Sequence, residues 1–194
     1  MEFNKLLIVR VKKHNRRCTS LFFIQMSGFP GSGKSTLSKK IAKETRAVII
    51  DHDISKSALL QSIEDTPIDA KLAGKVSYNI DWSLIEFHLS LGQSVIFDSP
   101  CLYQEMVDRG IGLANKYGAK YKFVECYLND FHEVNTRLKK RKRMISQIGE
   151  VSSKEAFQFT IANSKRPIDY QYLVVDTKRP LESYIFEVLQ YIYK

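Results

Sequence analysis

Five short stretches of this chain are rich in apolar residues. They read LFFIQM, AVIID, SVIFDSP, KYKFVECYL and YQYLVVDT, at residues 21–26, 47–51, 94–100, 120–128 and 170–177. Apolar runs of this length are typical of strands that are buried on both faces of a sheet, as parallel strands are. The pattern therefore predicts five strands.

The segments between these strands repeat their apolar positions every three or four residues, which is the spacing of an amphipathic helix. The first predicted helix starts near residue 34. The others span residues 52–62, 66–93 (one helix or a broken pair), 103–118, about 131–143 and 180–193. Strands that alternate with helices predict an α/β fold. We expect a doubly wound, five-stranded parallel sheet with helices on both faces.

A glycine-rich stretch joins the first predicted strand to the first predicted helix. Residues 28–35 read GFPGSGKS and fit the phosphate-binding loop pattern G-x-x-x-x-G-K-[ST] at every fixed position. Glycines permit the dihedrals and the close approach that direct backbone N–H groups toward phosphate oxygens. The expected ATP-binding residues are Gly28, Phe29, Pro30, Gly31, Ser32, Gly33, Lys34, Ser35 and Thr36.

Two side chains of this loop have specific expected roles. Lys34 is expected to reach the β- and γ-phosphate oxygens, and the Ser35 hydroxyl is expected to ligate Mg²⁺. The positive end of the dipole of the following helix adds to the attraction for the anion. The loop therefore predicts ATP and Mg²⁺ as ligands.

Acidic residues follow the second and third predicted strands. Asp51 and Asp53 come at the end of the second strand, and Asp98 comes at the end of the third. Because ligands of parallel sheets bind beyond the carboxyl ends of the strands, these acids are expected near the γ-phosphate. Asp53 and Asp98 are candidates for contacting Mg²⁺ and for accepting or orienting the acceptor hydroxyl. Asp51 is equally well placed to cap a helix, so the choice between Asp51 and Asp53 as the base stays open.

Composition narrows the class of protein. A length of 194 residues suits one domain. No apolar run approaches the roughly 20 residues of a membrane span, so we expect a cytoplasmic protein without membrane attachment. Cys18, Cys101 and Cys126 show no metal-binding or disulfide spacing and are interpreted as reduced thiols, with Cys126 in a strand core.

The net charge of +9 is concentrated in two segments. Residues 1–20 contain six Lys or Arg and one acid, and residues 137–143, RLKKRKR, contain six basic residues in seven. The first segment is predicted to be an extension of a domain at 21–194, as an extra strand, a disordered tail or an organellar leader. Basic clusters also favour a nucleic acid partner, and the concentration of charge in the extension weakens that inference.

The motifs occur in an order that resembles a known family. GFPGSGKSTLSKKIA, VIIDHDISK, GQSVIFDSPC, YKFVECYL, RLKKR and YLVVDTKRPLE are similar to segments of small P-loop kinase-like ATP-binding proteins. That family resembles chloramphenicol phosphotransferases, gluconate kinases and the kinase domain of phage polynucleotide kinase. The resemblance runs from about residue 21 to residue 194 and implies the P-loop NTPase fold of nucleoside-kinase-like proteins.

The resemblance also implies roles for individual residues. The family's base lies after the second strand in an Asp-x-x-Arg setting, which here corresponds to Asp53 and Lys56. Lysine keeps the positive charge of arginine but lacks its bidentate fork. The family's acid after the third strand, beside Mg²⁺ or the acceptor, corresponds to Asp98. The pattern R-L-x-x-R implies that Arg137 and Arg141 belong to a lid that closes over the ATP phosphates.

The predicted function is transfer of the ATP γ-phosphate to a hydroxyl of a small molecule or of a nucleoside or nucleotide. One alternative is a 5′-hydroxyl polynucleotide kinase, which the basic segments favour and Lys56 opposes. Another is a non-enzymatic regulator in which ATP orders the lid. A monomer or a homodimer is expected, and no pattern between the second and third strands identifies the acceptor.

Overall fold

A computed structural model of the protein describes residues 20–63 and 68–194. The strands are β1 (Phe22–Ser27), β2 (Val48–Asp51), β3 (Val95–Asp98), β4 (Lys120–Tyr127) and β5 (Tyr172–Asp176). They form one parallel sheet in the order β2-β3-β1-β4-β5. The predicted α/β fold with a five-stranded parallel sheet is confirmed, and no strand extends more than one residue beyond its predicted stretch.

Seven α-helices occur in the described ranges. They are α1 (Lys34–Thr45), α2 (His52–Ser62), α3 (Ala70–Ser90), α4 (Gln104–Lys116), α5 (Phe131–Lys140), α6 (Lys154–Ala162) and α7 (Ile185–Tyr193). A turn of 3₁₀ helix at Leu181–Ser183 precedes α7. None of these helices is long and apolar enough to cross a membrane.

Helices cover both faces of the sheet. On one face, α3 and α4 pack on the strands around a buried cluster that contains Trp82 and Phe97. On the other face, α1 and α7 pack around a second cluster that contains Leu37 and Cys126. Burial on both faces explains why the central strands β1 and β3 are nearly continuous apolar runs, whereas the edge strand β5 leaves Tyr172 and Val174 exposed.

A crevice lies where the chain leaves β1 and β3. These two strands are neighbours in the sheet. The helices that follow them, α1 and α4, pack on opposite faces. Because the chain leaves adjacent strand ends in opposite directions, a crevice forms at their carboxyl ends, where α/β sheets bind ligands.

The structure differs from the sequence prediction in the helices on either side of the basic cluster at residues 137–143. The helix predicted over 131–143 ends at Lys140, and Arg141 has an extended backbone with φ −78° and ψ 148°. The next helix, α6, was not predicted, because Phe157 is its only fully buried residue and its apolar pattern is weak. The predicted extension at 1–20 lies almost wholly outside the described residues, so its boundary stays a prediction.

Candidate active site

The loop between β1 and α1 bends tightly at its glycines. Gly28 and Gly33 have positive φ angles of 133° and 96°, which residues with a Cβ rarely adopt. A Cβ on Gly28 would also lie 2.4 Å from the carbonyl oxygen of Cys126 in β4. Gly33 is the N-cap of α1 and has no side chain to bond the first N–H groups of that helix. Those groups are therefore available to an anion.

Lys34 is buried at the start of α1. Its ammonium group donates to the carbonyl oxygens of Gly28 at 2.8 Å and of Phe29 at 3.2 Å. Burial lowers the pKa of Lys34, and the negative charges of Asp98 and Asp53 partly oppose that shift. The loop thus holds a positive charge in a confined space beside two carboxylates.

Two acids lie side by side at the ends of β2 and β3. Asp51 and Asp98 are partners in the parallel register of these strands. Burial and the charge of Asp98 raise the pKa of Asp51 to about 6. Burial also raises the pKa of Asp98, and the charge of Lys34 and the hydroxyl of Ser35 oppose that shift. A positive charge placed beside this pair would be stabilised by both carboxylates.

Ser35 and Asp98 fit a magnesium ion. A buried carboxylate next to a hydroxyl offers the hard oxygen ligands that Mg²⁺ prefers. Within residues 20–63 and 68–194, no three His, Cys, Asp or Glu side chains form a preformed metal site. Mg²⁺ usually takes only one or two protein ligands and completes its coordination with water and substrate phosphates.

Helix α2 carries Asp53 and Lys56 and is fastened to α3. His52 Nδ1 lies 2.7 Å from Asp81 Oδ2, and both side chains are buried. The His52 ring also stacks on Tyr78 with 3.8 Å between centroids. These contacts fix the start of α2, so that Asp53 and Lys56 line the same cleft as the phosphate loop.

The two lid arginines have different settings. Arg137, on α5, donates to Glu133 Oε1 at 2.8 Å and to the carbonyl oxygen of Thr177 at 2.9 Å. Arg141 follows the end of α5 and donates to the carbonyl oxygen of Ile148 at 2.9 Å. The helix predicted over about 131–143 would have placed both arginines on one helical face, but α5 ends before Arg141, which is not helical.

Arg141 nevertheless lies close to Asp53. Burial lowers the pKa of its guanidinium group, and the negative charge of Asp53 opposes that shift. Both residues line the cleft. Arg141 therefore places a cation on the side of the cleft that holds the candidate base.

One cleft of about 920 Å³ gathers most of the predicted site. The predicted residues that line it are Pro30, Gly31, Gly33, Lys34, Ser35, Thr36, Asp53, Lys56, Asp98, Arg137 and Arg141. The side chain of Phe29 packs instead on Phe157 of α6, with 4.9 Å between ring centroids. Ser32 is fully buried. The side chains of these two residues thus pack within and behind the loop, and their expected part in ATP binding stays a prediction.

A family model described as AAA domain matches residues 23–157. The chain belongs to this AAA domain family. The matched region extends from β1 into α6 and includes the phosphate loop, the acids after β2 and β3, and both lid arginines. No curated protein sequence matches the chain.

Solved structures of kinases share the fold of this AAA-domain chain. A proposed kinase from Chloroflexus aurantiacus j-10-fl has a TM-score of 0.69 at 18% identity, over 89% of this chain and 98% of that one. A sugar kinase from Janibacter sp. HTCC2649 has a TM-score of 0.62 at 18% identity, over 89% and 94%. A gluconokinase from Sinorhizobium meliloti 1021 has a TM-score of 0.58 at 18% identity, over 88% and 91%. The resemblance to small P-loop kinase-like proteins is confirmed at the level of fold.

The cleft of the AAA-domain chain also contains residues that the sequence patterns did not indicate. They include Tyr103, Ser146, Gln147, Thr177 and Arg179. Gln147 Nε2 donates to Asp53 Oδ2 at 2.7 Å. The one signal for Ser146 and Gln147 is their place in a loop after the basic cluster, since functional residues are frequent in such loops.

Proposed function

We propose that this chain is an ATP-dependent kinase that transfers the γ-phosphate to a hydroxyl of a small molecule or of a nucleoside or nucleotide. The observation that carries the proposal is the single cleft onto which the Lys34 loop, the Asp53 carboxylate and the lid arginines all open. Phosphoryl transfer requires mainly positioning and charge stabilisation, and these groups supply both.

The phosphate side of the cleft is built from α1 and the lid. The N–H groups of the loop and the Lys34 ammonium group bind the phosphate oxygens of ATP. Ser35 and Asp98 would hold Mg²⁺, which neutralises phosphate charge when it is bound. Arg137 and Arg141 stabilise the charge that develops on the transferred group.

The acceptor side is built from α2. Asp53 takes the proton of the acceptor hydroxyl as the acceptor oxygen bonds to the γ-phosphorus. The bond from the γ-phosphorus to the bridging oxygen of ADP breaks, and ADP leaves with that electron pair. Lys56 lies one turn along the helix from Asp53 and offers a positive charge to the acceptor.

A screen with γ-labelled ATP and Mg²⁺ tests this function. The panel contains sugars, polyols, nucleosides, nucleotides and oligonucleotides with a free 5′-hydroxyl, and we expect one class to become labelled. Lys34→Ala is the control and should label none, because it removes the phosphate-binding ammonium group from the loop. Tight ATP binding by the wild type without product from any acceptor would favour the regulator instead.

A 5′-hydroxyl polynucleotide kinase is the second candidate. The cleft is lined by further cations, including Lys39, Lys140 and Lys142, which a phosphate backbone would contact. Such an acceptor should bind with an affinity that falls steeply as salt rises. A small neutral acceptor should show little salt dependence.

A further inference from the structure

The segment between α5 and α6, residues 141–153, crosses the cleft and contacts α2; we call it the lid segment. The Ser146 and Ser57 hydroxyl oxygens lie 2.8 Å apart. The Ser146 hydroxyl also lies 3.0 Å from the carbonyl oxygen of Asp53. The backbone N–H of Ser146 donates to Ser57 Oγ at 3.3 Å. Every hydroxyl proton in this group has an acceptor if Ser57 donates to Ser146 and Ser146 donates to Asp53.

The amide of Gln147 has one orientation that satisfies its contacts. Its Oε1 accepts from the N–H of Met144 at 3.1 Å, and its Nε2 donates to Asp53 Oδ2 at 2.7 Å. The flipped amide would place oxygen against carboxylate and nitrogen against an N–H group. Gln147 is therefore a donor aimed at the candidate base.

The lid segment also has contacts that shape it independently of α2. Val151 N–H donates to Asn135 Oδ1 at 2.7 Å, and Asn135 Nδ2 donates to the carbonyl oxygen of Val151 at 3.2 Å. Arg141 bonds the carbonyl oxygen of Ile148 across the same segment. Arg141 and Gln147 thus belong to one structured piece of chain.

We propose that Gln147 is a positioning residue for Asp53 and that docking of Ser146 on Ser57 brings it there, an inference that rests on the proposed kinase function. Gln147 holds one carboxylate oxygen of Asp53 and leaves the other for the acceptor hydroxyl. Because the lid segment carries Arg141 as well, one docking event places the phosphate-side cation and orients the acceptor-side base.

Cysteine pairing tests the docking without any substrate. In a Cys18→Ser background, Ser57→Cys with Ser146→Cys should form a disulfide under mild oxidation, measured by loss of free thiols. Cys101 and Cys126 are buried and should not interfere. Ser62→Cys with Ser146→Cys is the matched control, since Ser62 lies farther along α2 and its hydroxyl bonds the carbonyl oxygen of Ala58. Equal cross-linking of both pairs would overturn the docking.

Kinetics of Gln147 variants test the positioning role. The two quantities to measure are the rate of phosphate release from γ-labelled ATP, with water as the acceptor, and the affinity for AMP-PNP with Mg²⁺. Gln147→Ala should lower the rate by about 10- to 100-fold, the scale of a misplaced catalytic group, and change the affinity little. Gln147→Glu should lower it at least as much, because it sets a second carboxylate against Asp53. Gln104→Ala is the control, since Gln104 makes a similar bond to Asp108 at 2.9 Å on α4.

The outcomes separate this inference from the proposed function. If wild-type protein neither releases phosphate nor labels any acceptor, the kinase function fails, and the role of Gln147 fails with it even if the cysteines pair. If the wild type is active and Gln147→Ala is equally fast or faster, the kinase function stands and the positioning role is overturned, because the contact is then dispensable or blocks the base.

Discussion

Asp51 and Asp53 lie two positions apart, and the fold gives their carboxylates different surroundings. Asp51 ends β2 and caps α2, because its Oδ1 accepts from the N–H of Asp53 at 2.9 Å. Asp53 lies in the first turn of α2, and its carboxylate contacts Gln147 of the lid segment. These contacts favour Asp51 as a cap and Asp53 as the base.

We expect Asp53→Asn to keep ATP affinity and to lower transfer by at least about 10²-fold, the usual scale of a general base. The amide keeps the size of the side chain but cannot take the proton of the acceptor hydroxyl. Single-turnover transfer and AMP-PNP binding measure the two effects. A larger loss in Asp51→Asn, with Asp53→Asn near normal, would move the base to Asp51.

Asp51 should make stability depend on pH. Its pKa is about 6 in the folded protein and about 3.9 in an unfolded chain. The folded state therefore binds the carboxyl proton of Asp51 more tightly than the unfolded state does. The resulting stabilisation of the folded state is fully present below about pH 4 and is lost as pH rises through about 6. Asp51→Asn should remove this loss and still cap α2.

Urea unfolding of wild type and Asp51→Asn at about pH 4 and pH 7.5 checks this dependence, since the window is set by the two pKa values. The variant should gain about 1 to 2 kcal/mol relative to wild type between these pH values, after allowance for the exposed part of the side chain. A difference that does not change with pH would contradict the assignment.

At the scale of elements, the end of α5 separates the two lid arginines. Arg137 remains within the helix and is tied to the turn after β5 through the carbonyl oxygen of Thr177. Arg141 lies beyond the helix and belongs to the lid segment. If the lid segment docks as proposed, that docking places Arg141, whereas α5 and the carbonyl oxygen of Thr177 already hold Arg137.

Arg141→Ala should depress turnover strongly while ATP affinity falls little, because its charge acts on the transition state. Arg137→Ala should show a loss that does not add to it if both contact the same phosphates. Steady-state kinetics and nucleotide binding of the single and double variants measure this.

Lys139→Ala is the control for these variants. Lys139 is exposed and pairs with exposed Glu150 at 3.4 Å, a type of pair that contributes little to stability. Lys139→Ala should therefore change turnover and ATP affinity little. If Arg141→Ala is equally harmless, charge stabilisation in the transition state comes from Lys34 and Mg²⁺ without the lid.

At the scale of the whole molecule, we expect residues 1–18 to be dispensable for the site. Within the described residues the first strand begins at Phe22, and the AAA domain match begins at residue 23. A chain that lacks residues 1–18 should fold and keep its ATP affinity, as circular dichroism and nucleotide titration would show. Loss of folding would mean that the LLIVRV segment is a structural strand, and loss of oligonucleotide binding alone would favour the nucleic acid kinase.

Several features of the whole molecule could be predicted because their signals are local. The phosphate loop is contiguous from Gly28 to Thr36, and the strands are contiguous apolar runs, so each pattern is complete within a short window. The acids after β2 and β3 were placed together by a general rule, that ligands bind at the carboxyl ends of parallel strands. Asp51 and Asp98 are register partners, so these two acids do lie together, and their place near the γ-phosphate stays a prediction.

The sequence by itself therefore determined the strands, the phosphate loop and the acids at the strand ends of this protein. Only the tertiary structure decided the strand order, the end of α5 before Arg141, and the contacts of Gln147 with Asp53 and of Arg137 with Thr177. Those two contacts join residues 94 and 40 positions apart. Apolar periodicity reports which side of its own element a residue occupies, whereas such contacts depend on how separate elements pack, and no local pattern encodes that packing.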